Sequence, residues 1–253
     1  MMRQWDPNTH KKVLVLDASP VGHDGCTMLV TKSFLKGFSS VCDTETEIVK
    51  LGELNVQPCC GCLSCWASGD GDCVIKGDDI AEFKRKILAA DVFIESFPLY
   101  FFGMPGTLKV FTDRMLGMMR PYRGQTVPDD GSSYHGLAQS RPDRRFIIVS
   151  SCAHSDTAKV YAPLLAQFDC ICGRDNYTPI FSSQLQTLSK LDYNGAERRL
   201  NRHLQKYEEA GREFAQSGAL DRETLNSLMR QPFGDETYKA LIATFWARFE
   251  KKE

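Results

Sequence analysis

Five cysteines fall within fifteen residues of this chain: Cys59, Cys60, Cys62, Cys65 and Cys73. A thiolate is a nucleophile and a soft metal ligand, so such a cluster points to metal binding or redox chemistry. Cys59, Cys62 and Cys65 stand three apart, and Cys73 closes the stretch. Three thiolates so spaced can wrap one [4Fe–4S] cube, with the fourth ligand arriving from the end of the loop. Zinc sites more often use two well-separated CxxC pairs, whereas the first three cysteines here overlap. Zinc, a thiol–disulfide role for the CxxC pairs, and structural thiols packed around Trp66 remain open beside the cluster. Cys60 fits none of the four.

Two loops carry a second kind of chemistry. Ser19-Pro20-Val21-Gly22-His23-Asp24-Gly25-Cys26-Thr27 runs from a short apolar segment into a helical pattern. Hydroxyls at both ends, glycines and a helix N-terminus suit a phosphate, because backbone N–H groups can approach it and the helix dipole favours the charge. His23 stands where it can help to neutralise that charge. The loop is neither a Walker A loop nor a GxGxxG fingerprint. Its plainer reading is a strand-to-helix connection with Ser19 or Thr27 as N-cap. The other loop is Pro98-Leu99-Tyr100-Phe101-Phe102-Gly103-Met104-Pro105-Gly106. Three successive aromatics are costly to leave in water, and a flat aromatic ligand would cover them. Otherwise they cap the core. Asp113 and Arg114 at the end of the next helix are expected to pair. The five histidines make no HExxH, and no GxSxG supports a hydrolase.

These loops need a scaffold, and the hydrophobic pattern supplies one. Apolar runs predict strands at 13–17, 46–51, 92–97, 146–150 and 177–182. Helical spacing predicts helices near 27–38, 77–88, 106–115, 157–168, 196–217, 222–229 and 236–251. Asp78 or Asp79 is expected to cap the second of these. Regular strand–helix alternation with near-continuous apolar strands implies a parallel sheet covered on both faces. In such a sheet ligands bind beyond the carboxyl ends of the strands, where these loops fall. The polar stretch 120–144 is a candidate lid or subunit contact. Leu241, Ile242, Phe245, Trp246 and Phe249 form an apolar stripe, to be covered by the parent domain or by a second subunit.

Composition narrows the function. The 253 residues carry 31 Lys and Arg against 32 Asp and Glu, for a net charge of −1. That balance advertises neither nucleic acid nor an anionic membrane. No run of apolar residues is long enough to span a bilayer. Residues 1–12 lack the apolar core of a signal peptide, so a reducing cytoplasm is the expected compartment. Cys42, Cys170 and Cys172 are expected to pack as small hydrophobes.

Taken in order, Ser19-Pro20 with Gly25-Cys26-Thr27, the cysteine loop, Ile75 to Asp79, and Pro98 to Pro105 with Lys109, Asp113 and Arg114 resemble the flavodoxin-like NAD(P)H-dependent FMN reductases, and most of all their iron–sulfur flavoprotein branch. The resemblance covers roughly 12–182. It implies an α/β, flavodoxin-like three-layer α/β/α fold with a five-stranded parallel sheet. It places the FMN phosphate on Ser19, Gly25, Cys26 and Thr27. Pro98, Leu99, Tyr100, Phe101, Gly103 and Met104 would line the ribityl chain and ring, and Ser151, Cys152, Ala153 and His154 would flank the pyrimidine edge. Val21 stands where the family's loop commonly has a basic residue, which leaves the phosphate to the backbone. Cys59, Cys62, Cys65 and Cys73 match the branch's cluster motif. The implied activity is electron transfer from NAD(P)H through FMN to a quinone-, nitro- or azo-type acceptor or a protein partner. The alternative is an electron carrier between proteins, with ferredoxin as a candidate partner. A homo-oligomer is expected. The chain divides as an FMN-binding domain over 12–217 and a C-terminal helical extension over 218–253.

Overall fold

The computed structural model describes residues 5–21, 25–121, 135–139, 141–190, 193 and 195–250. Its strands are β1 (Lys11–Asp17), β2 (Thr44–Lys50), β3 (Val92–Pro98), β4 (Arg145–Ser151) and β5 (Thr178–Ser182). They pair in the order β2-β1-β3-β4-β5, every pair parallel. Strand side chains alternate between faces. In β1, Val13 and Val15 enter one core while Leu14 and Leu16 enter the other. Burial on both faces is why the strand reads as an unbroken apolar run.

One face carries α1 (Cys26–Ser39) and α7 (Ala196–Ser217), with α6 (Leu185–Lys190) and α8 (Arg222–Leu228) beside them. The other carries α3 (Ile80–Ala89), α4 (Gly106–Asp113) and α5 (Thr157–Cys172). This is the three-layer architecture that the resemblance implied. α1 and α7 touch backbone to backbone. A Cβ on Gly37 would lie 1.8 Å from the Glu208 carbonyl oxygen, and one on Gly211 would lie 2.0 Å from that of Phe34. Trp5 closes this layer, its indole N–H donating to the Ala215 carbonyl at 2.7 Å.

The elements depart from the sequence expectation in a few places. α4 stops at Asp113, and residues Arg114–Met118 tighten into a 3-10 turn. α2 (Ser64–Ala67) and α6 are too short for periodicity to reveal. β2 is an edge strand with an exposed first half, so its pattern was weak. Cys170 is exposed, whereas Cys42 is buried and Cys172 partly so. The C-terminal α9 (Asp235–Glu250) begins on the parent domain. Leu228 and Phe233 are buried in the α1–α7 core, with Tyr238 and Leu241 packed against it. Further along, Trp246 is exposed. Among the described residues no helix is long and apolar enough to cross a membrane.

Candidate functional site

The chain runs outward from β1 to β2 and returns past β1 to β3, so the connections leaving β1 and β3 depart to opposite faces. In open sheets of this kind ligands bind beyond the carboxyl ends of the strands at such a switch point. Three loops meet there.

The loop after β1 is held at its start, where the Ala18 N–H donates to the Ser96 carbonyl and the Ser19 N–H to Asp17 Oδ1, at 2.9 and 3.0 Å. His23 lies outside the described residues. Gly25 occupies the N-cap position of α1 and brings no side chain to it. The first turn of this fourteen-residue helix holds no acidic residue. Among the described residues no side chain caps its N-terminal N–H groups, which suits a bound anion. The N-cap expected at Ser19 or Thr27 is not formed. Thr27 is buried and its hydroxyl hydrogen-bonds that of Ser151 at 2.6 Å. The Cys26 thiol pairs with Ser189 Oγ at 3.1 Å.

The loop after β3 makes a tight turn. Tyr100 and Gly103 exchange backbone hydrogen bonds of 3.0 and 2.9 Å across Phe101 and Phe102. Both central residues have positive φ, 49° and 66°. L-residues avoid that region at a cost of roughly 1–2 kcal/mol each. Phe101 is 100% exposed, and Tyr100 and Phe102 are about half exposed. The aromatics therefore do not cap the core. Leu99 and Met104, in contrast, pack onto it.

The loop after β4 joins the other two. Ser151 reaches Thr27 through its hydroxyl and accepts the Leu99 N–H at 2.9 Å through its carbonyl. His154 is exposed and its ring stacks against Phe102, with centroids 5.8 Å apart. Burial pushes the Cys152 thiol up, so it stays protonated and inert. Ser19, Gly25, Cys26, Thr27, Pro98, Leu99, Tyr100, Phe101, Gly103, Met104, Ser151, Cys152 and Ala153 thus lie on three neighbouring loops at one edge of the sheet. A helix N-terminus with glycine at the N-cap, beside exposed aromatics, is a donor set that fits a phosphate joined to a flat ring.

The cysteine loop sits beside this edge. Trp66 pins it, its indole N–H shared between the Leu116 and Met119 carbonyls at 3.0 and 3.2 Å. The expected Asp113–Arg114 pair does not form, because adjacent helical residues point in different directions. Asp113 pairs with Lys109, whereas Arg114 reaches Asp78 at 2.5 Å and the Gln57 carbonyl at 2.7 Å. The Asp78–Arg114 pair is buried. Asp79 holds the N-cap position of α3, but its carboxylate accepts the Asn55 N–H, and Asp78 takes the Ile80 N–H instead.

Cys59, Cys60 and Cys62 are exposed, and Cys65 and Cys73 are partly buried. Cys65 and Cys73 line a cavity of about 440 Å³ with Lys84 and Arg114. Burial pushes the Cys65 thiol up while the Lys84 charge opposes it, and Cys73 and Cys59 act on it electrostatically. Hydrogen bonds from Ser64 pull Cys62 down. Four thiols on one loop, two of them facing cations, suit a cluster chemically. Among the described residues, however, no three His, Cys, Asp or Glu side chains are gathered as metal ligands.

A family model for NADPH-dependent FMN reductases matches residues 11–139, just over half of the chain. The chain belongs to this family. Iron–sulfur flavoproteins of Methanocaldococcus jannaschii and Archaeoglobus fulgidus are 34% and 36% identical to it, over 41% and 28% of its length. The matches span 51% and 31% of those relatives. An FMN-dependent NADH-azoreductase from Bacillus anthracis, solved with FMN, aligns over 81% of the chain and 99% of its own length, at 18% identity and a TM-score of 0.54. An NAD(P)H:quinone oxidoreductase from Methanothermobacter marburgensis aligns over 81% and 98%, at 16% identity and 0.54. Both share the fold of this FMN reductase family member.

Sequence reasoning missed Lys84, which lines the cysteine cavity, and Gln184 and Tyr238, which bond the loop after β4; tertiary packing brings each there, and no local motif marks any of them. The proposed lid over 120–144 lies mostly outside the described residues.

Proposed function

We propose that this chain is an FMN-dependent NAD(P)H oxidoreductase that passes electrons to a quinone-, nitro- or azo-type acceptor or to a protein partner. The observation that carries the reading is the strained, exposed turn at Phe101 and Phe102 beside the N-terminus of α1, where glycine holds the N-cap. FMN, when bound, supplies a ring that accepts hydride from a nicotinamide and hands electrons on.

The protein's part is binding and orientation. Ser19, Gly25, Cys26 and Thr27 hold the phosphate on backbone N–H groups and the Thr27 side of the loop. Pro98, Leu99, Tyr100, Phe101, Gly103 and Met104 line the ribityl chain and ring. Ser151, Cys152 and Ala153 border the pyrimidine edge. Ser151 keeps the three loops in register, because it bonds to both of the others. Left-handed strain at Phe101 and Phe102 is consistent with a turn held ready for a ligand. Hydride transfer needs no general acid or base, and the inert Cys152 supplies none.

The test is anaerobic. The protein is saturated with FMN and mixed with NADPH or NADH. Rapid loss of the visible flavin absorbance supports the reductase. Absorbance unchanged by either nicotinamide, with FMN bound, refutes it.

The cysteine loop favours a second reading, an iron–sulfur flavoprotein carrying electrons between proteins. Its support is the set Cys59, Cys62, Cys65 and Cys73, the cations beside Cys65 and Cys73, and relatives that bear that name. Fast reduction by ferredoxin, with none by nicotinamides, selects it. Iron and acid-labile sulfide in Cys62→Ala at the wild-type level would refute the ligand assignment.

A further inference from the structure

The loop after β4 is short and irregular, and its first residue is held by β5 and by the start of α6. The Cys152 N–H donates to the Ser182 carbonyl at 2.9 Å, and the Cys152 carbonyl accepts the Leu185 N–H at 3.2 Å. Past Cys152 that support ends. The next three tethers come from distant parts of the chain. The Tyr238 hydroxyl of α9 donates to the Ala153 carbonyl. The Gln184 side-chain amide donates to Ser155 Oγ at 2.8 Å. The Thr157 hydroxyl donates to the Met229 carbonyl at 3.2 Å.

Gln184 joins these tethers. The oxygen of the same amide accepts the Phe233 N–H at 2.9 Å, so one side chain spans the loop and the C-terminal segment. The residue is fully buried, with φ at +53°. An L-residue stays in that region only where its surroundings hold it there. Glycine would adopt the conformation freely but would make neither hydrogen bond. The far end is bolted down as well. Phe233 is buried in the α1–α7 core, Tyr238 packs against that core, and the Tyr207 hydroxyl donates to the Leu228 carbonyl at 3.1 Å. On its other side the loop meets Phe102 and Thr27 through His154 and Ser151.

We infer that residues 229–238, together with Gln184, form a clamp that holds loop 152–155 in place against the flavin ring, which makes Gln184 and Tyr238 positioning residues of the FMN site. The inference rests on the flavin reading given above. The clamp lies wholly outside the part of the chain that the family model matches. It gives the C-terminal segment a role in the site without touching the ligand.

The experiment uses the full chain as apoprotein. FMN and riboflavin are titrated in turn into wild type, Tyr238→Phe and Gln184→Met, with quenching of flavin fluorescence as the readout. Riboflavin lacks the phosphate and so reports the ring and ribityl contacts alone. Loss of one loop tether is expected to weaken both ligands by the same factor, about 3–10-fold, as for one buried hydrogen bond. The ratio of FMN to riboflavin affinity should stay at the wild-type value, because the N-terminus of α1 is untouched. The visible circular dichroism of bound FMN should change, and a purely stabilising residue would leave it alone. Wild-type affinities and wild-type dichroism in both variants would overturn the clamp, whatever happens to their melting temperatures. So would a loss confined to FMN, since that places the damage at the phosphate. Wild-type protein that takes up neither flavin would overturn the flavin reading and the clamp with it.

Discussion

Replacing Glu95 with glutamine should stabilise this protein at neutral pH and remove much of the loss of stability that alkali causes. Glu95 sits in β3 between Leu16 of β1 and Ile148 of β4, in the middle of the sheet. It is 5% exposed, and its Oε2 has no hydrogen-bond partner. Burial pushes its carboxyl up to about 8 from an ordinary 4.5. The folded state therefore keeps the proton at neutral pH, while the unfolded state releases it. In that window the native state binds more protons, so stability falls as pH rises. The contribution is fully present below pH 4.5 and is lost as pH climbs to about 8. Each pH unit removes about 1.4 kcal/mol, which comes to about 3 kcal/mol at neutral pH and about 5 kcal/mol above the folded value. Glutamine keeps the shape and the neutral polarity without this dependence. Urea unfolding of both proteins across the pH range gives the difference directly, and other titrating groups cancel in it. The difference should be near zero in mild acid and grow steadily toward alkaline pH in favour of the variant. A difference that is constant with pH, or that favours wild type in alkali, would refute the reasoning.

His203 should act at the acid end. Burial pulls its imidazole down to about 4, and it bonds Ser182 Oγ at 2.9 Å. Its stability contribution is complete above the ordinary value of 6.5 and is lost as pH falls toward 4, so His203→Gln should flatten the acid limb of the stability–pH curve. Phe101→Gly should raise the stability of the apoprotein by about 1 kcal/mol, since it relieves a left-handed residue that is fully exposed, while FMN affinity falls; thermal unfolding and flavin titration check the two halves. Gly211→Ala should destabilise by about 3 kcal/mol or more, because its Cβ would strike the Phe34 carbonyl oxygen and push α1 off α7; urea midpoints measure it.

Much of the architecture was legible in one dimension. Two-sided burial writes a parallel strand as an apolar run, so VLVL at 13–16 and FIIVS at 146–150 announced themselves. The loops followed, since in this topology the ends of β1, β3 and β4 share one edge. Residues that act through their neighbours left no such trace. Arg114 read as a partner for the adjacent Asp113, yet the turn of the helix sends it to Asp78, thirty-six positions away. Asp78 or Asp79 read as the helix cap, and Asp79 does hold that position, but which carboxylate takes which N–H was not legible: Asp79 accepts from the distant Asn55 and Asp78 from Ile80.

Local chemistry marked the segments proposed to bind a phosphate, a flat ring or a metal, because residue type, spacing and hydrophobic period are properties of neighbours in sequence. Tertiary structure settled how these segments are held. It brought Ser151 against Thr27 and Leu99, left Phe101 in solvent, set Lys84 and Arg114 beside Cys65 and Cys73, and carried Tyr238 to Ala153. Each of these depends on distances between residues far apart in the chain. Packing fixes such distances, and no pattern of neighbours encodes them.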